Sequence, residues 1–244
     1  MSVPSETVRW LTDPSHWHGV EGVPNRVLEH LSMSGKAVLV ALALAVPVGL
    51  LLGHKGRGGV VAVNVSNVGR AVPSFALLVL AVQVFGLGST PALLALIALA
   101  VPPVLTNTYV GMRGVDADVR EAARGMGMTG TQVLMGVELP LALPLIMAGL
   151  RTAAVHVVAT ATLAAYVASG GLGRYIVDGI AQQDDGQLVA GALLVALLSV
   201  LTEISLGRLQ ARATPGRKGG RRAAREEVTI PGAAAAAGPT AVGG

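Results

Sequence analysis

Gly35-Lys-Ala-Val-Leu-Val-Ala-Leu-Ala-Leu-Ala-Val-Pro-Val-Gly-Leu-Leu-Leu-Gly53 carries a single charge, Lys36, near its start. A helix needs about 20 mainly apolar residues to cross a hydrocarbon core of about 30 Å, and this run has that length. Further apolar stretches follow it. Of the 244 residues, 52% are hydrophobic and 13% charged, with a mean hydropathy of +0.63, too apolar for a water-soluble domain of this size. In lipid the backbone must satisfy its own polar groups, so the expectation is an all-α, polytopic membrane helix bundle. The run starts too late to be a cleavable leader and reads as a retained span.

About five spans are expected. After span one (35–53) comes an apolar region from Gly59 to Phe85, interrupted by Arg70 and Pro73. That region is either one long bent helix or a crossing over Ala71–Gly88 alone. Span three runs from Pro91 to Met112, span four lies within Leu141–Ser169, and span five covers Gln187–Gly207. Alternating the segments gathers Lys55, Arg57, Arg113, Arg120, Arg124, Arg208, Arg212 and the tail arginines on one face, against Arg9, Arg26, Lys36 and Arg174 on the other. The positive-inside rule makes the basic face cytoplasmic, with the N-terminus outside and the C-terminus inside. Three regions follow: an extracytoplasmic or interfacial segment over 1–34, a transmembrane domain over 35–210, and a basic tail over 211–244 whose low complexity predicts disorder in the cytoplasm.

Between spans three and four stands Glu121-Ala122-Ala123, then three residues, Gly127, nine residues, Val137, one residue, Leu139-Pro140. Glutamate and alanine favour a short helix with a low-profile surface, Gly127 ends it, helix resumes near Thr131, and Pro140 is expected to break or bend the chain at the membrane surface. A helix-turn-helix of this kind fits a groove on a soluble partner.

This spacing resembles the Glu-Ala-Ala signature of bacterial ATP-binding-cassette importer permeases, with valine at position 137 where isoleucine is commoner. Other stretches, among them Asn67-Val-Gly-Arg-Ala-Val-Pro-Ser74, Asn107–Asp116, Leu139–Pro144, Gly149–Val155 and Ala168–Gly173, resemble the glycine betaine, carnitine and choline osmoprotectant permeases over about residues 35–210. The resemblance implies a type I (MetI-like) importer fold and a transport subunit that is not itself an enzyme. It also implies ATPase subunits that bind ATP and magnesium, a second permease copy or homologous permease, and an extracytoplasmic substrate-binding protein. The loop residues Glu121, Ala122, Ala123, Gly127, Val137, Leu139 and Pro140 would then meet the ATPase. The turn Ser169-Gly170-Gly171-Leu-Gly173 would meet the binding protein. It lacks the Lys-Ser or Lys-Thr ending of a phosphate loop, so no nucleotide is expected there.

Thr152, His156 and Thr160 recur every four residues and make one polar stripe, expected to face the bundle interior or a partner helix. For His156, packing with a satisfied hydrogen bond is preferred to a proton relay, since Glu203 is the one acidic residue in the later spans. Asn67, Arg70 and Ser74 share a face beside Pro73, and with Asn107 complete the candidate path. Arg70 is either a path residue or a snorkelling residue at the cytoplasmic surface, and Arg151 reads as snorkelling. His16 and His18 lack a third ligand, so no metal is expected, and Trp17 reads as an interfacial anchor. No cysteine is present. With few aromatic residues to build a cage for a quaternary ammonium, substrate selection is assigned to the binding protein. The alternatives are a permease for another small solute such as an amino acid, or a secondary transporter, for which neither repeats nor midplane carboxylates are found. Nothing suggests a nucleic-acid partner.

Overall fold

The computed structural model describes residues 2–60, 64, 67, 69, 71–167 and 170–213, and every regular element among them is helical. Nine helices are used below: α1 (Val3–Thr12), α2 (Val23–His54), α3 (Ser74–Phe85), α4 (Ser89–Arg113), α5 (Ala117–Gly125), α6 (Gly130–Val133), α7 (Leu139–Thr160), α8 (Gly173–Gln182) and α9 (Asp185–Ala213). Among the described residues, four continuous helical runs are long and apolar enough to cross a membrane: Val23–His54, Ser89–Arg113, Gly130–Val167 and Asp185–Ala213.

The second expected span is broken. Gly59, Val60, Asn64, Asn67, Gly69 and Ala71 are helical, but Pro73 sits at φ −60° and ψ 129° and a new helix starts at Ser74. Proline lacks the N–H that would continue the ladder and pushes the residue before it out of helical conformation. At 12 residues α3 is about 18 Å long by the usual rise per residue, too short to cross alone. Arg70 and the tail from 214 onward lie outside the described residues.

The core is formed by α2, α4 and α7, where Ala37, Ala41 and Ala45 meet Leu96, Ala100 and Val104 and, from the third helix, Ala153, Ala154 and Val157. Small residues let these backbones approach, which drives helix association where lipid is as apolar as the interface. Gly49 shows how close: a Cβ there would sit 2.7 Å from Thr108 Cβ, and one on Gly149 would sit 2.7 Å from Asn107 Cβ. Leucines and valines such as Leu39, Leu44, Val48, Leu193, Leu197 and Val200 point outward. Apolar groups on the outside suit a chain surrounded by lipid and membrane partners.

Of the break or bend expected at Pro140, the break does not occur. The lead-in to α7 widens into a π turn over Leu134–Glu138, in which the Leu139 N–H reaches Leu134 O, and Pro140 occupies the first turn of α7. Widening the turn ahead of the proline makes room for its ring, so helix runs on from Gly130 into the membrane.

At the other end, α1 and α8 pack on α9. Trp10 is buried there, stacked on His16 at 4.2 Å and edge-on to Tyr175 at 5.0 Å. Tyr175 donates to Glu21 O at 2.5 Å, and burial pushes its phenol up to about 12, so the proton is held. Trp17 is exposed and its indole N–H donates to Leu11 O.

Candidate functional site

The loop between α4 and α7 is built by local rules. Asp116 caps α5, its carboxylate accepting from the Asp118 N–H at 2.9 Å. The helix ends in a Schellman arrangement: Gly127 has φ +84°, its N–H reaches Arg124 O, and the Met128 N–H reaches Ala123 O. A capping box follows at once, in which Thr129 and Gln132 exchange side-chain and backbone bonds and start α6.

Of the signature residues, Glu121 and Ala122 are exposed, Ala123 is buried against the loop's own second half, and Gly127 stands at the open corner. Val137 and Leu139 are half-buried and Pro140 is exposed. Around Glu121 and Ala122 the loop also exposes Val119, Met126 and Met135. An exposed apolar patch with a carboxylate beside it is the kind of surface that a partner protein would cover.

Behind this patch lies a group that sequence reading passed over as the variable position between Val137 and Leu139. Glu138 is fully buried. His54 Nδ1, at the end of α2, donates to its Oε2 at 2.5 Å, and Arg120 Nε, on α5, lies 2.9 Å from its Oε1. The Arg120 N–H is not aimed along that oxygen, so the second contact is an ion pair rather than a directed hydrogen bond. Arg120 also donates through Nη2 to the carbonyl of Met112 near the end of α4. A glutamate at the edge of an apolar run cannot stay unpaired inside the protein, and that rule could have flagged it.

The candidate path residues separate. Thr152 and His156 are exposed on the face of α7 opposite Ala153, Ala154, Val157 and Val158, so the stripe points away from the chain's own core. His156 is therefore not packed inside its own bundle. Glu203, which a relay would have needed, pairs with Arg151 at 2.6 Å, and Arg151 also donates to Gln210. Arg151 is thus an ion-pair residue joining α7 to α9. Thr160 and Ser74 line one small apolar cavity with Leu78, Leu96 and Leu163, and Pro73 and Asn67 are exposed. Asn107 is set apart: its amide donates to Pro103 O at 2.8 Å, within its own helix, and it packs at Gly149.

Around the glycine turn, Gly171 has φ +91° and its N–H donates to Glu29 Oε2 at 2.8 Å, while Gly171 and Gly173 are buried against His30 and Thr162. Gly170 is partly exposed beside a cavity of about 420 Å³ lined by Glu29, Ser32, Lys36, Ser89 and Thr90, and Ser169 lies outside the described residues.

Residues 45–215 match the family described as the binding-protein-dependent transport system inner membrane component. The chain belongs to that family. It is 41% identical over 187 residues to the carnitine transport permease protein OpuCB of Listeria monocytogenes, covering 77% of this chain and 86% of that one. It is 36% identical over 187 residues to the glycine betaine/carnitine/choline transport system permease protein OpuCB of Bacillus subtilis, with the same coverage of 77% and 86%. With the osmoprotectant import permease protein OsmW of Salmonella typhimurium it shares 32% over 215 residues, 86% of this chain and 98% of the other. Among solved structures, the inward-facing MetNI methionine ABC transporter contains a chain that superposes with a TM-score of 0.66 at 24% identity, over 88% of this chain and 100% of that one. The fold is that of an ABC importer permease. This permease is a multi-pass membrane protein and a transport component, and the ATPase of such a system is a separate subunit.

Proposed function

We propose that this permease moves an osmoprotectant of the glycine betaine, carnitine or choline class into the cell, driven by ATP hydrolysed in partner subunits. The observation that carries the substrate class is its 32–41% identity, over most of its length, to permeases named for those solutes. Partners follow from the family: ATPase subunits at the cytoplasmic end, an extracytoplasmic binding protein, and a second permease copy or homologous permease beside this one.

In this reading the exposed face of α5 and α6, with Glu121, Ala122, Gly127 and the residues Val137, Leu139 and Pro140 that set its angle to α7, seats on the ATPase. Ala123 supports it from within. Thr152 and His156, outward on α7, face the second permease across the path, with Thr160, Ser74, Pro73 and Asn67 along its wall, and Asn107 holds α4 against α7. Gly170 and the adjoining cavity meet the binding protein, while Gly171 and Gly173 shape the turn. The N-terminal segment 1–34 lies outside and the tail 211–244 in the cytoplasm. The test is uptake of radiolabelled carnitine, glycine betaine and choline by proteoliposomes holding the assembled transporter and its binding protein. At least one should accumulate with internal ATP and none without it; uptake independent of ATP would refute the reading.

A further inference from the structure

Helix α5 has almost no apolar seat. Ala123 is its one buried residue, so packing alone cannot fix where this helix lies relative to the membrane helices, because fixing a position by burial needs a contiguous apolar stripe. Its N-terminal link to α4 is the short turn Gly114–Asp116, and its C-terminal link is the glycine corner at Gly127. What ties it sideways is Arg120, held between Met112 O on α4 and the buried carboxylate of Glu138, which His54 holds in turn at the end of α2.

We propose that Glu138 is a positioning residue for transport: it joins Arg120 of the ATPase-contacting helix to the end of α2 and the start of α7, while Arg120 also holds the end of α4, so that displacement of α5 is passed to the membrane helices. A fully buried carboxylate is rare unless paired. For stability alone an apolar trio of similar volume would serve as well or better, because two or more charges must be stripped of water to build the cluster. The ionic version adds direction. Arg120 can follow α5 only by dragging Glu138 and the Met112 carbonyl, and each of those belongs to a different helix end. The cluster lies at the meeting point of four segments: the end of α2, the end of α4, α5, and the π turn leading into α7. Close packing there is stiff as well, since Met112 is fully buried and a Cβ on Gly53 of α2 would overlap its side chain.

This inference rests on the permease reading above, and one experiment separates the two. The assembled transporter is reconstituted with wild-type chain, with Glu138→Gln, and with Arg120→Lys. Glutamine keeps the size and removes the charge, and lysine keeps the charge but loses the fork that reaches two acceptors at once. ATP hydrolysis and uptake of carnitine, glycine betaine and choline are measured on the same vesicles. Solute moved per ATP hydrolysed is expected to fall by about fivefold or more in both variants, with the ATPase still retained on purification; substitutions along coupling networks act on this scale. A purely structural role would instead lower the amount of assembled transporter and leave that ratio alone. An unchanged ratio at normal assembly overturns the proposal, and so does failure of both variants to hold the ATPase, which would make the cluster a folding element. ATP-independent uptake by the wild type would remove the permease reading itself.

Discussion

Gly127 is where a single residue carries the most readable consequence. Its φ of +84° is a conformation that side chains with a Cβ adopt at a cost of about 1–2 kcal/mol, yet a Cβ placed there meets nothing within 4 Å. The requirement is therefore conformational and not steric. Gly127→Asn, which tolerates left-handed backbone, should retain ATPase binding and uptake, whereas Gly127→Val should lower both by severalfold at normal membrane levels. Co-purification of the ATPase with each variant decides it, and equal retention by both would show that the corner needs no positive φ. The glycine was legible because its spacing within the signature is rigid. Glu138 was not: the same signature leaves that position free, and only the approach of His54 and Arg120 from distant segments gives it meaning. Ala123 was read as a contact surface with Ala122, but it is buried, with its carbonyl taking the Schellman bond from the Met128 N–H.

At the scale of elements, hydropathy located the apolar middle of each crossing and missed what lies beyond. The run from Gly35 to Gly53 is one part of α2, which begins at Val23. Glu29, Arg26 and His30 made that first stretch read as polar. In the folded chain the carboxylate of Glu29 binds the Gly171 N–H and Arg26, and His30 Nε2 donates to Val158 O. Gly171 and Val158 lie more than a hundred residues away, so no local window could have supplied them. Likewise α8 lay in a segment read as an outside loop, although Ile176, Tyr175 and Leu172 give it an apolar side against α9. Helix crossings, by contrast, were built from small residues visible in the sequence. Gly49 of α2 faces Thr108 of α4, and a methyl on it would lie 2.7 Å from Thr108 Cβ and 2.8 Å from Cγ2. Gly49→Ala should destabilise the protein by about 1–3 kcal/mol, the usual range for overpacking. Adding Thr108→Gly should recover part of that loss, since it moves the small residue across the same contact; thermal retention of the folded protein in detergent for both single variants and the pair gives the coupling. Additive losses would mean the two helices do not meet there.

For the whole molecule, the contacts sort the chain ends into two groups. His54 and Glu138, Arg120 and Met112, Gln210 and Pro144 pair at one end of the bundle. Glu29 and Gly171, Gly88 and Val167, Trp10 and Tyr175 meet at the other. The first end gathers Lys55, Arg57, Arg113 and Arg124 near it, and the bias of Lys and Arg in short loops toward the cytoplasm is the ground on which that end is proposed as the inner face. Sequence charge and folded contacts thus agree on which loops belong together, and the proposed orientation rests on the charge. The cysteine-free chain allows a direct test, because a single introduced cysteine is the sole thiol of this subunit. Thr131, within α6, and Gln183, at the end of α8 with φ 57°, are both exposed, so labelling at either reports the side of the membrane and not burial. In intact spheroplasts a membrane-impermeant thiol reagent should modify Gln183→Cys and leave Thr131→Cys untouched, and permeabilised cells should show both labelled. Modification of Thr131→Cys from outside would place the ATPase-facing loop on the wrong side, and with it the basic end of the bundle and the direction of coupling proposed here.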